Sequence, residues 1–275
     1  MRVATSDLFS LEGKTVIATG GTGGLGQEMC LAMAESGADI VSIHVPDDPD
    51  QEYLVRAITA VGRKVTGYAC DVGNSSDLRV TFRSIWEAGF VPDILLNCAG
   101  MNRRGAIEEM TDESIDLVSI RASLTIELTP VQIINVNLKG SYVAAQEFGM
   151  QLIKLGRPGK IINIGSFTSF VAMTNVSVYS ATKGGVVQMT KAFSNEWAQH
   201  GIQVNSICPG YFKTPLAQGL IDKYPDVEQY IVDRTPAGRW GHPSDLRGAV
   251  LFLASAASDF CTGQSLVIDG GMMFR

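Results

Sequence analysis

Long apolar runs, paired cysteines, histidine and an excess of positive charge are all scarce in this 275-residue chain. No stretch approaches the ~20 consecutive apolar residues of a membrane-spanning helix. The first eleven residues mix Arg2, Asp7 and hydroxyl side chains with few apolar ones, unlike a signal peptide. The five cysteines (Cys30, Cys70, Cys98, Cys208, Cys261) are odd in number and widely spaced, and none forms a CxxC pair. With only three histidines (His44, His200, His242), no ligand set has the spacing of a metal site, so none is expected. Reduced, buried thiols in a cytoplasmic protein are the reading that follows. A net charge of −6 argues against a nucleic acid or an anionic membrane as partner. With 18% charged and 45% hydrophobic residues, the chain is neither disordered nor fibrous.

Proline- or serine-rich linkers and fixed-period repeats are also missing, so residues 1–275 read as one domain. What the chain does have is glycine, 29 residues of it, and a steady alternation of short apolar runs with helical stretches. Strands are predicted at 14–18, 39–45, 65–69, 94–97, 160–165, 203–207 and 265–268. Helical spacing occupies 27–36, 51–61, 78–88, 179–200 and 246–254. Strands apolar at nearly every position, separated by helices, indicate a parallel sheet covered on both faces. The predicted architecture is α/β, a doubly wound Rossmann-like sheet of about seven strands.

The first strand runs into Thr19-Gly20-Gly21-Thr22-Gly23-Gly24-Leu25-Gly26. Glycine allows close approach of a diphosphate, and the helix that follows offers free N–H groups and its positive end. The spacing is TGxxxGxG, not GxGxxG. With it come Asn97-Cys98-Ala99-Gly100 after strand four, Ser166 after strand five, and Tyr179-Ser180-Ala181-Thr182-Lys183. Together, in this order, these motifs resemble the short-chain dehydrogenase/reductase family over essentially the whole chain.

Tyr179 and Lys183 are four apart on a predicted helix and share one face. An ammonium ~4 Å from a phenol contributes roughly 4 kcal/mol at an effective dielectric of about 20, or about three pKa units. Lys183, helped by an oxidised nicotinamide, is therefore expected to draw Tyr179 toward a working pH. By the resemblance, Ser166, Tyr179, Lys183 and Asn137 are the catalytic residues. Ser166 and Tyr179 hold the substrate oxygen, Lys183 also binds the nicotinamide ribose, and Asn137 orders a relay water. The resemblance further assigns Gly20, Gly24, Leu25 and Gly26 to the diphosphate, and Asp71 and Val72 to adenine. Asn97, Ala99 and Gly100 flank the adenosine ribose and stabilise the central sheet, and Pro209, Gly210, Phe212 and Thr214 belong to the loop closing over the carboxamide. The cofactor is NAD or NADP. His44 stands where the family carries its acidic selector, but Asp47 and Asp48 follow and no Arg or Lys stands nearby, which favours NAD.

The stretches Leu8–Lys14, Met101-Asn102-Arg103-Arg104, Asn195–Ala198 and Arg234–Gly241 are similar to a narrower group, the 2-dehydro-3-deoxy-D-gluconate and gluconate 5-dehydrogenases. The function implied is interconversion of a secondary alcohol and a ketone on a sugar acid or related polyol, a small-molecule substrate. Arg103 and Arg104 suit a carboxylate, or are two solvated loop arginines. A ketoreductase of secondary metabolism, or a cofactor-binding protein impaired by an insertion, are the alternatives.

That insertion is Val118–Gln132, roughly fifteen residues beyond family spacing. It falls in the helix expected from about Thr111 to Asn137, where Pro130 would break the helix at a cost of ~3 kcal/mol. Val-Ser, Leu-Thr and a terminal Gln can be encoded by splice-like signals, so it is a retained in-frame intron or a genuine surface insertion. The family's homodimer or homotetramer uses this helix, and the insertion bears on both.

Overall fold

The computed structural model of the chain describes residues 4–102, 104–109 and 130–274. Seven strands, β1 (Thr15–Thr19), β2 (Asp39–His44), β3 (Val65–Ala69), β4 (Ile94–Asn97), β5 (Gly159–Ile164), β6 (Ile202–Pro209) and β7 (Ser265–Ile268), form one sheet. Their order is β3-β2-β1-β4-β5-β6-β7 and every pairing is parallel. The predicted doubly wound architecture is present.

The pleat sends alternate strand residues into two cores. Val16, Ala18, Ile94, Leu96, Ile162 and Ile207 meet one helical layer, and Ile17, Leu95, Ile161 and Val204 meet the other. The first layer holds α1 (Gly24–Glu35), α2 (Gln51–Ala60) and α9 (Arg247–Ala254), through Met29, Met33, Leu54, Ile58, Val250 and Leu253. The second holds α3 (Ser75–Glu87), α5 (Ser141–Leu155) and α6 (Ser177–Trp197), through Phe82, Ile85, Phe148, Leu152, Val186 and Phe193. No helix among the described residues is long and apolar enough to cross a membrane.

Helices α7 (Pro215–Lys223) and α8 (Asp226–Arg234) lie where the sequence pattern predicted no element. Both are nine residues long, and their apolar residues, such as Val227, Tyr230 and Ile231, do fall at helical spacing. Local chemistry starts α7: the Thr214 hydroxyl accepts the Ala217 N–H, and Pro215 takes a first-turn position where its missing donor costs nothing.

The predicted insertion lies outside the described residues up to position 129. The described helix begins at α4 (Pro130–Ile134), widens to a π-helical stretch (Asn135–Gly140) and continues as α5. Pro130, expected to break a helix, is the first described helical residue.

A polar seam crosses the second core. Asn97 Nδ2 donates to Asn163 Oδ1 (2.9 Å) and to the Ser141 carbonyl (3.1 Å). Asn163 Nδ2 donates to Thr190 Oγ1 (2.9 Å), joining β4, β5, α5 and α6. The order of strands reverses between β1 and β4, so the crevice opens over their carboxyl ends, where ligands bind in such sheets.

Candidate active site

Two adjoining hollows occupy that crevice. The larger, a cleft of about 500 Å³, is lined by Gly20, Gly24, Leu25, Gly26, Asp71, Val72, Ala99, Gly100, Tyr179, Lys183 and Thr214, all predicted for the cofactor. Gly20 has φ +64°, and a Cβ there would lie 2.6 Å from Ala99 Cα, so the β1 turn and the β4 turn pack backbone to backbone. A Cβ at Gly26 would overlap the Gly20 carbonyl oxygen. With these side chains absent, the N-terminus of α1 faces the cleft unobstructed. That cradle, with Asp71 at one end and Lys183 at the other, fits a dinucleotide.

Two predicted cofactor contacts line neither hollow, and two more line the second. Asn97 is 2% exposed and off the cleft: register with Asn163 turns its amide into the core, where it forms the polar seam. Pro209 is held in β6 opposite Ile268 and lines neither hollow. Gly210 and Phe212 line the second hollow instead, and only Thr214 of that loop reaches both.

At the adenosine end the cleft meets His44, Asp48 and Asp50. Thr22 of the glycine turn donates to Asp48 Oδ2 (2.7 Å), and the Asp50 N–H donates to Asp48 Oδ1 (3.0 Å). Asp48 is thereby fixed as a negative wall. The neighbouring Asp47, paired with it in the sequence reading, is not on the lining.

The second hollow, about 230 Å³, is where Ser166 and Tyr179 meet. Ser166 is 4% exposed, and its Oγ accepts from the Thr168 N–H (3.1 Å) and Thr168 Oγ1 (2.9 Å). Tyr179 shares this hollow with it. Lys183, 4% exposed, donates to the Ile164 carbonyl (2.7 Å), with its Nζ 5.7 Å from the Tyr179 ring centre.

Burial pushes Tyr179 up to about 12, against the opposing pull of the Ser166 hydroxyl. Burial also brings Lys183 down to about 8, with the Cys98 and Cys208 thiols acting in the other direction. Without a bound nicotinamide, the shift toward a working pH expected of Tyr179 is not present. The amine is engaged by a backbone carbonyl, and desolvation of the phenol is the larger effect. In the protein alone Tyr179 is a neutral phenol at pH 7.

Asn137 is fully buried and reaches neither hollow. Its Oδ1 accepts the Met101 N–H (2.8 Å), and its Nδ2 donates to the Met101 carbonyl (2.9 Å) and Thr182 Oγ1 (3.2 Å). It clamps the turn after β4 to α6. A Cβ on Gly100 would stand 3.4 Å from both Asn137 Oδ1 and Lys183 Nζ, so these three share one tight layer.

Arg104 lines the second hollow as predicted, while Arg103 lies outside the described residues. Sequence reasoning missed its aromatic wall of Phe167, Tyr211 and Trp240, with Tyr211 5.4 Å from Phe167 and 5.6 Å from Trp240 between ring centres. It also missed Asn102, which borders both hollows. The signal for Asn102 was its place inside the Met101–Arg104 stretch.

A protein-family model described as enoyl-(acyl carrier protein) reductase matches residues 20–273. The 2-dehydro-3-deoxy-D-gluconate 5-dehydrogenase of Escherichia coli (strain K12) is 38% identical over 269 residues, covering 97% of this chain and 98% of that protein. The chain belongs to the short-chain dehydrogenase/reductase family. Within the family, the gluconate 5-dehydrogenase of Gluconobacter oxydans is 33% identical over 269 residues, 97% of each chain. A solved gluconate 5-dehydrogenase from Burkholderia cenocepacia J2315, in complex with NADP and tartrate, superposes with TM-score 0.87 at 34% identity, covering 99% of this chain and 100% of that one. As a short-chain dehydrogenase/reductase, the chain is an NAD(P)-dependent oxidoreductase.

Proposed function

We propose that this dehydrogenase interconverts a secondary hydroxyl and a ketone on a sugar acid, with Ser166, Tyr179 and Lys183 at the reacting oxygen. The observation that carries the reading is that Ser166 and Tyr179 line one small pocket, bearing Arg104, where it meets a dinucleotide-sized cleft. The full-length likeness to sugar-acid 5-dehydrogenases supports the substrate class.

When bound, the nicotinamide supplies or accepts the hydride. Ser166 Oγ holds the substrate oxygen. In the reductive direction the neutral Tyr179 phenol gives its proton to that oxygen, and the Lys183 ammonium beside it stabilises the phenolate left behind. Oxidation reverses the transfer. Asn137 serves these residues from behind, by fixing the Gly100–Met101 turn against α6. Arg104 takes the carboxylate through its planar fork, with Arg103 as its proposed companion.

NAD is the favoured cofactor in this reading: the Asp48 carboxylate, anchored by Thr22, suits a ribose diol and repels a 2′-phosphate. NADP in the Burkholderia relative is the competing possibility. The reading further takes the chain as one catalytic domain working in the cytoplasm, which suits its five free thiols, and as a homodimer or homotetramer. The aromatic wall favours a second reading, a ketoreductase for flatter carbonyl compounds.

Following nicotinamide absorbance over a panel of sugar acids and aromatic or polyketide-like ketones, with both cofactors, tests these readings. Turnover confined to sugar acids is expected. Turnover confined to flat ketones would replace the sugar-acid reading. Inactive protein that recovers on deletion of 118–132 would show the insertion to be the impairment.

A further inference from the structure

We propose that Asn102 reads a substrate hydroxyl on a carbon next to the one that exchanges hydride. The proposal deepens the sugar-acid reading above and rests on it. Among the described residues, five buried side-chain polar atoms have no hydrogen-bond partner: Ser75 Oγ, Trp86 Nε1, Asn97 Oδ1, Asn102 Oδ1 and Ser180 Oγ. Only Asn102 belongs to a residue bordering the crevice, and it borders both hollows. The oxygen is enclosed and unpaired as it stands, so the amide meets a ligand in the crevice by turning about its terminal torsion.

The chemistry of that partner follows from position. A residue shared by the cofactor cleft and the substrate pocket stands beside the point of transfer, not at the pocket's far end. The terminal torsion of an asparagine is soft and roughly two-fold, so a turn of the amide presents either its oxygen or its NH₂ to the pocket. A hydroxyl both donates and accepts, and it can satisfy either face. A ketone flanked by hydroxyl-bearing carbons, as in a keto sugar acid, brings such a group to Asn102. A simple ketone brings none and leaves the amide unpaired, the circumstance in which polar sites discriminate most strongly.

The test compares reduction of 5-keto-D-gluconate with that of its 4-deoxy and 6-deoxy analogues, in the native protein and in Asn102→Leu. The native protein is expected to prefer the parent over one analogue by about tenfold to a hundredfold in kcat/KM. Asn102→Leu should lose that preference by slowing on the parent alone. Its cofactor affinity, read by quenching of tryptophan fluorescence, should be unchanged. Its melting temperature without ligands should not fall, because an unpaired polar atom has been removed. If leucine does lower the melting temperature, the smaller Asn102→Ala carries the same comparison.

Equal native rates on all three compounds would overturn the assignment while leaving the sugar-acid reading intact. So would a preference that survives in the variants, or weakened cofactor binding with sugar preference unaltered. Native protein that reduces no keto sugar acid would overturn the sugar-acid reading, and this assignment with it.

Discussion

Replacing Lys183 by methionine should stabilise the ligand-free protein while abolishing its chemistry. Burial lowers the amine from its ordinary 10.5 to about 8, a shift of about 2.5 units, so holding it charged at neutral pH costs about 3 kcal/mol. Methionine has similar length and no charge, and it removes that cost. It also forfeits the hydrogen bond to the Ile164 carbonyl, a loss of roughly 1.5–3 kcal/mol for a charged donor. The net gain at pH 7 is therefore about 1 kcal/mol, or about 2–4 °C in melting temperature for a chain of this size.

The sign of the pH dependence is more discriminating than the size. Between pH 8 and 10.5 the unfolded chain still carries the proton and the folded protein has lost it, so folding of the native protein gains stability as pH rises through that window. Lys183→Met lacks this rise, and subtracting the two unfolding curves cancels the titrating groups that do not couple to the amine. Urea unfolding at pH 7, 8, 9 and 10 measures it. A difference between the two proteins that stays flat across that range would refute the burial argument. A variant less stable than the native protein throughout would show that the hydrogen bond outweighs desolvation.

Tyr179→Phe should abolish turnover, below 1 part in about 10² of the native rate, with cofactor still quenching tryptophan fluorescence; undiminished turnover removes Tyr179 as proton donor. Asp48→Asn keeps an acceptor for Thr22 but discharges the wall, so the ratio of kcat/KM with NAD to that with NADP should fall about tenfold or more. An unchanged ratio would place cofactor choice elsewhere. Asn137→Ala strands the Met101 N–H and carbonyl and should cost about 2–4 kcal/mol in denaturant unfolding. A loss of activity without that loss of stability would give Asn137 a direct chemical role instead.

The sheet was legible because parallel strands buried on both faces must be apolar at successive positions, as in the Ile94–Leu96 run of β4. The glycine turn was legible for a related reason: a Cβ at Gly20 or Gly26 collides with backbone, leaving little choice of residue. What spacing could not carry was side-chain direction and desolvation. Asn97 sits in the family's motif, yet register with Asn163 aims it inward. Tyr179 and Lys183 have the expected spacing, but the burial that sets their proton affinities depends on every element packed around them. Helices α7 and α8 escaped because each is only nine residues long, so its apolar spacing spans little more than two turns.

The asparagine–threonine seam beneath the crevice has an engineering consequence. Hydrophobic attraction has no direction of its own, whereas the 2.9 Å link from Asn163 to Thr190 indexes α6 against β5 at one height. Transplanting α6 with its tyrosine and lysine onto another parallel scaffold would thus deliver the right groups at an arbitrary elevation, unless the recipient strand also carries the matching amide.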